Sequence, residues 1–158
     1  MMYKYISFSI SIAVISWLVG MALNAVLRKT TFYKSNLSNL NFIKTEKLNK
    51  IIGIDIFKWV VKNTFFKFFN QKLKLKSKIE KSDLITLRNE MTISEIDHLI
   101  GFVFVTFFAV IKSIQFNYKF GLIIMIVNVL LNLYPSILQQ QNKRRIDTFL
   151  KKLQQTTF

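Results

Sequence analysis

Three runs of this sequence, residues 5–27, 98–117 and 120–138, are apolar across a membrane's width. A bilayer core of about 30 Å is crossed by about 20 apolar residues in a helix, and each run has that length. Residues 5–27 carry no charge; their polar members are Ser7, Ser9, Ser11, Ser16 and Asn24. With one proline and four glycines in the whole chain, little interrupts these runs, and they read as helices rather than strands. A cleaved signal peptide competes for residues 5–27, with Lys4 as a weak basic start and Ala22 and Ala25 as small residues. The run exceeds an ordinary signal core and Arg28 and Lys29 follow at once, which favours a retained span.

The charge supports the same class. The chain is 51% hydrophobic, holds 16 phenylalanines, and still has a formal net charge of +15. Apolar and strongly basic together point to a multi-pass protein of the cell inner (cytoplasmic) membrane with a basic cytoplasmic surface. Residues 28–97 hold 15 of the Lys and Arg residues and the tail 139–158 holds five. The N-terminus holds only Lys4, and the hairpin region only Lys112 and Lys119. By the positive-inside rule the central segment and tail are cytoplasmic, with the N-terminus and the Asn117-Tyr118-Lys119 turn outside. Lysines placed this way meet anionic headgroups, at about 1 kcal/mol each near the surface, so membrane lipids rather than nucleic acid are the expected partners. The absence of cysteine excludes a disulfide framework and a zinc–thiolate site.

These features predict an all-α integral membrane fold, a single membrane domain over 1–158. It comprises a first span at 5–27, a cytoplasmic and interfacial segment at 28–97, spans at 98–117 and 120–138, and a basic tail at 139–158. In residues 51–69, Asp55, Lys58 and Lys62 share one helical face, while Ile52, Ile56, Trp59, Val60 and Phe66 supply a broad apolar one. That pattern fits an amphipathic helix lying in the interface, with packing inside a cytoplasmic lobe as the alternative. The run Lys72, Lys74, Lys76, Lys78, Lys81 reads as a solvated or lipid-facing surface. Ser82-Asp83 reads as a helix start leading toward the second span. The tail, with Ile146, Phe149, Leu150 and Leu153 on one side, continues the third.

Two polar stripes interrupt the apolar spans. Asn128, Asn132, Pro135, Gln139 and Asn142 fall within about 80° of one helical face. Amides against lipid are costly, so this face looks into protein, water or substrate. Pro135 leaves the Leu131 carbonyl without its helical partner, which opens an acceptor and a kink. The preceding helix carries Arg88, Thr92, Glu95, His98, Thr106 and Ser113 on one face, including the single histidine. A carboxylate at i,i+3 can orient an imidazole and stabilise its protonated form, and such an imidazole is a general base for a hydroxyl. One histidine, no cysteine and scattered carboxylates make a poor metal site, and none is expected. The chain has no glycine-rich phosphate loop, nucleophile elbow or dinucleotide fingerprint. An antiparallel hairpin about Tyr118 pairs His98 with a position near Leu138, beside Gln139, and Glu95 with Gln141–Asn142.

Glu90, Glu95-x-x-His98 and, after the hairpin, Asn132-(x6)-Gln139-x-x-Asn142-x-x-Arg145 resemble the glycosyl-4,4'-diaponeurosporenoate acyltransferase family. Its members are small bacterial membrane proteins with an Ala-Glu-x-x-His-Trp motif and a late Asn…Pro…Gln-Arg-Tyr-Asn-Arg-x-Arg motif. Glu46 and Lys58-Trp59 look like further family positions. Ser94 stands where the family has alanine, Leu99 where it has tryptophan, and Gln140-Gln141 where it has Arg-Tyr. The resemblance implies transfer of a fatty acyl group to a hydroxyl of a glycolipid or carotenoid-type lipid at the cytoplasmic face. The acyl donor would be acyl-CoA or acyl-carrier protein, with no resident cofactor. His98 would then be the base and Glu95 its orienting group, while Asn132, Gln139 and Asn142 would position acceptor or thioester carbonyl. Arg145 and Arg88 would hold donor phosphates, with Glu90 in the binding set. The rival is a non-catalytic membrane scaffold or lipid-binding subunit whose amides serve only helix packing.

Overall fold

The computed structural model describes residues 2–43, 45–63, 80–115 and 117–155. Among the described residues the chain is helical, without strands. The elements are α1 (Met2–Leu27), α2 (Thr31–Ser35), a 3-10 turn (Leu37–Asn39), α3 (Glu46–Ile51), α4 (Ile54–Asn63), α5 (Lys81–Gln115), α6 (Tyr118–Asn128), a π-helical turn (Val129–Leu133) and α7 (Tyr134–Gln155). Three stretches, Met2–Leu27, Lys81–Gln115 and Tyr118–Gln155, are long and apolar enough to cross a membrane. The all-α fold with three candidate spans is therefore as the sequence predicts. Phe66 and the lysines from Lys72 to Lys78 lie outside the described residues.

The hairpin turn differs from the expected one. The Asn117 side chain accepts from the Lys119 N–H at 2.8 Å, capping α6, so Tyr118 and Lys119 are helical rather than part of the turn. Asparagine at this position fills one of the donors a helix start leaves open. The turn thus falls earlier, and the antiparallel register shifts with it. Ser136 Oγ donates to the Glu95 carbonyl at 3.1 Å, and Asn128 Nδ2 to the Phe102 carbonyl at 2.9 Å. Glu95 thereby meets Ser136, where a hairpin centred on Tyr118 would give it Gln141–Asn142. Moving the centre of an antiparallel pair by a few residues moves each partner by twice as many.

Contacts divide the chain into two compact units. The first comprises Met1–Leu40 and Ile93–Ser136. In it α1 buries Ser9, Ile12, Ala13, Ser16, Gly20 and Asn24, a face of small residues at helical spacing. Between helices in lipid the hydrophobic drive is weak, and close backbone approach at small residues replaces it. Gly20 shows the need: a Cβ there would overlap the Asp97 backbone carbonyl. Ile12, Val105, Ala109, Phe120 and Ile124 form the apolar core, with Tyr5 stacked on Phe120 at 4.2 Å between ring centroids. Leu18, Val103, Phe107 and Leu122 are exposed, as suits lipid.

The second unit comprises Asn41–Thr92 and Ile137–Phe158. Leu84, Leu87 and Ile146 pack together with Met91 and Leu150 beside them. The Arg88 guanidinium forks onto Asp147, with Nε–Oδ1 at 2.5 Å and a second bond to Oδ2 at 3.5 Å. The Ile43 N–H donates to Gln140 Oε1 at 3.0 Å, and Arg144 to Asn41 Oδ1 at 3.2 Å. On α4 only Ile54 is buried, while Ile56 and Trp59 stay exposed.

Gly20→Ala should lower the stability of the detergent-solubilised chain by about 1–3 kcal/mol, since its Cβ meets backbone that cannot yield. Equilibrium unfolding in mixed micelles reads this directly.

Candidate active site

The site starts from one missing proton. Pro135 has no N–H, so the Leu131 carbonyl cannot close the usual α-helical bond. The chain answers with the π-turn Val129–Leu133, where the Tyr134 N–H bonds back to the Val129 carbonyl. π-turns of this kind relieve a helix locally and often occur at functional sites. The free Leu131 carbonyl accepts instead from the Trp17 indole Nε1 at 3.3 Å. The same indole stands edge-on to the His98 imidazole, with ring centroids 6.1 Å apart at 85°. The open carbonyl was legible from the sequence; Trp17 as its partner was not.

Hydrogen bonds fix the direction of the amide stripe. Asn128 Nδ2 donates to the Phe102 carbonyl and, at 3.1 Å, to Thr106 Oγ1. A carbonyl only accepts, so this end of the Asn128 amide is its NH2 and the other end is its oxygen. Asn128 Oδ1 in turn accepts from Asn132 Nδ2 at 2.9 Å. Asn132 Nδ2 also donates to Ser16 Oγ at 3.0 Å, while Ser16 donates to the Ala13 carbonyl at 2.6 Å. Every donor in the chain is used for helix contacts. What remains is the Asn132 Oδ1 acceptor, buried and without a partner. It lies close to Gly101, where a Cβ would sit 3.0 Å from it. Asn132 is next to the His98 imidazole but outside hydrogen-bonding geometry, and His98 Nδ1 is likewise buried without a partner. Asn128 is thus a packing residue, whereas Asn132 both packs and presents an acceptor beside the histidine.

A second polar cluster belongs to the same unit. Asn24 Nδ2 donates to Asp97 Oδ1 at 2.7 Å and to the Ile93 carbonyl at 3.1 Å. Thr30 caps α2 by accepting from the Tyr33 N–H at 3.2 Å, which holds Tyr33 in place. The Tyr33 hydroxyl lies beside the Asn24 amide, with Arg28, Asp97 and Glu95 as charged neighbours. Burial, partly opposed by Arg28, pushes the Tyr33 phenol up, so it stays protonated at neutral pH. Sequence reading missed Asp97, Tyr33, Gly20 and Trp17. Spacing of Ser16, Gly20 and Asn24 at intervals of four was the available signal for a packed polar face on α1.

The remaining candidates are distributed as follows. Glu95 is fully buried, one turn before His98. Arg88 is engaged by Asp147, and Glu90 is exposed. Asn142 Nδ2 donates to Gln139 Oε1 at 3.4 Å, and both side chains are partly buried. Arg145 is exposed and near Lys58. Burial, then repulsion from Arg145 and Lys62, holds the Lys58 ammonium below its usual range, against a smaller opposing pull from Asp55. Among the described residues no group of three or more His, Cys, Asp or Glu could hold a metal ion.

The apolar spans and the histidine set among buried amides define a helical membrane protein with a polar site inside its helix packing. The chain belongs to the glycosyl-4,4'-diaponeurosporenoate acyltransferase family, whose model matches residues 29–152. No curated protein and no solved structure matches it. The α1 residues Ser16, Trp17, Gly20 and Asn24 lie outside the matched region.

Trp17→Phe keeps a ring against His98 but strands the Leu131 carbonyl, an expected loss of about 1–3 kcal/mol. In a Pro135→Ala background, where residue 135 regains its N–H, the same change should cost clearly less; a double-mutant cycle of unfolding free energies measures the difference. Arg145→Met removes a positive neighbour and should raise the titration midpoint of Lys58, read by carbon NMR of its ε-methylene; burial alone keeps it below an exposed lysine.

Proposed function

We propose that this protein transfers a fatty acyl group from a thioester donor to a hydroxyl of a glycolipid or carotenoid-type lipid, at the cytoplasmic face of the membrane. The observation that carries this reading is the pair of unpartnered buried atoms, His98 Nδ1 and Asn132 Oδ1, beside one another. A buried acceptor without a partner is costly unless a ligand fills it, and two neighbouring hydroxyls of one acceptor, each donating once, suit this pair. Family membership supplies the reaction class.

In this mechanism the acceptor hydroxyl donates its proton to the imidazole as its oxygen attacks the thioester carbonyl. The new C–O bond forms, the C–S bond breaks, and the imidazolium returns the proton to the leaving thiolate. Asn132 Oδ1 accepts from a second, neighbouring hydroxyl of the acceptor, because the one proton of the reacting hydroxyl goes to the imidazole; its NH2 is already used, so it is not the donor to the developing oxyanion. Trp17 keeps the imidazole plane fixed, and Glu95, one turn before His98, is its orienting group. Glu90, Gln139 and Asn142 belong to the substrate-binding set. Arg145, with Lys58 beside it, offers charge to the phosphates of an acyl-CoA or acyl-carrier donor. Arg88, held by Asp147, acts as a strut instead. Membrane lipid is both solvent and substrate here.

A scaffold without catalysis has one specific observation behind it: the amide nitrogens of Asn128 and Asn132 serve helix–helix bonds. The two readings part on His98. His98→Ala should reduce acyl transfer by about 10²–10⁴-fold, the range for loss of a positioned base. Membrane insertion should be unchanged. Lipid and pigment profiling of cells carrying either form shows whether one lipid class gains an acyl mass; equal profiles would favour the scaffold.

A further inference from the structure

The acyl-transfer step leaves the outer side of α3 and α4, in the second unit, without a use. α4 has two apolar faces. Ile54 is fully buried, and Phe57 and Val61, within about 60° of it round the helix, are half-buried. Ile56 and Trp59 lie about 140–200° away from Ile54, on the opposite side. They are bare, at 71% and 65% exposure, and Ile51 at the end of α3 matches them at 71%. Gly53 joins the two helices at φ 72°, a left-handed backbone that glycine adopts without strain, so α3 turns directly into α4. A single exposed apolar side chain is ordinary, but an isoleucine and a tryptophan aligned on the free side of an already packed helix mark a surface that something covers.

Charge selects the cover. Lys47, Lys50 and Lys62 are exposed on the same two helices, against the acids Glu46 and Asp55. By sequence, the chain that follows α4 adds Lys67, Lys72, Lys74, Lys76 and Lys78 and no acidic residue before Glu80. Every cation from 46 to 79 is a lysine. A hydrated point charge suits a field of anionic headgroups, whereas forked recognition of one carboxylate or phosphate uses arginine. A nucleic-acid backbone would meet the lysines and leave Ile51, Ile56 and Trp59 in water. An acidic protein would have to find this small face from solution. A leaflet does not, because the chain's own apolar spans anchor it to a bilayer and make docking intramolecular.

We propose that α3 and α4 form a docking surface for an anionic lipid leaflet, with Ile51, Ile56 and Trp59 seated at the boundary of headgroups and acyl chains and Lys47, Lys50 and Lys62 among the phosphates. Tryptophan suits that depth, having an apolar body and a polar N–H. The packed side of α4 stays with its own unit, so the helix is bound on both faces once docked. Lys58 directly precedes Trp59 and neighbours Arg145, so docking brings that cationic pair to headgroup level. The docking is a binding property and holds whether or not the chain transfers acyl groups.

The test uses the absence of cysteine in the chain, which lets one dye be placed alone. The full chain carrying Ile56→Cys, labelled with an environment-sensitive NBD dye, is placed in nanodiscs of phosphatidylcholine, pure or mixed with phosphatidylglycerol. Both kinds of disc contain lipid doxyl-labelled near the headgroup as a quencher. The dye should be blue-shifted and quenched by that lipid in the mixed discs, and clearly less so in the neutral ones. Lys47→Gln, Lys50→Gln and Lys62→Gln together should lower the docked-to-free ratio in mixed discs by about fivefold for each charge removed. Tm should not change, because these side chains are exposed. Added salt should act in the same direction on the chain with its lysines intact, a reading that needs no further substitution. Absence of lipid quenching, equal quenching in the two lipids, or insensitivity to both salt and lysine removal would each overturn the proposal. So would a blue-shifted dye that the lipid does not quench, which would mean that protein covers the face.

Discussion

The amide proton that Pro135 lacks is the constraint on which the site depends. Inside a membrane no water is available to satisfy a stranded carbonyl, so protein must supply the donor. The helix yields into a π-turn, and Trp17 of the first span provides the N–H. That single bond ties α1 to the π-turn of the third span and brings an indole edge against the imidazole on α5. Three helices are thereby fixed around one histidine by the need to satisfy one carbonyl. The family match begins after α1, yet the geometry around His98 is incomplete without it.

A stripe of amides in a membrane helix is commonly read as either packing or function, and here the two uses fall on opposite ends of the same groups. The bonds run one way, from Asn132 through Asn128 to the Phe102 carbonyl, with Ser16 as a side branch. Because the last acceptor cannot reverse, the first amide cannot flip. Packing therefore orients the Asn132 oxygen toward the histidine and holds it there before any substrate arrives. Preorganised polarity of this kind needs no rearrangement at the moment of reaction.

The fold was largely legible in the sequence because membrane length, helical period and the lack of breakers leave few alternatives. Ser82-Asp83 marked the helix that becomes α5, the basic tail does continue the third span, and the Leu131 carbonyl was visibly open. Partners were harder to read. A proline announces a free acceptor but not which of the chain's donors will reach it. The Arg88–Asp147 pair depends on helix register, and register depends on a turn that Asn117 moved by a cap. Asp97 carried no signal of its own, since a carboxylate beside a histidine in sequence points away from it on a helix.

That cap also sets tolerance to change. From Asn117 to Asn132 the hairpin works as a ruler: each added residue would advance the chain by about 1.5 Å and turn it by roughly 100°. One insertion in α6 would swing Asn132 off the histidine while leaving the span apolar and long enough to insert. Sequences descended from this one should therefore vary at the exposed apolar positions of α6, such as Leu122 and Ile126, and hardly at all in its length.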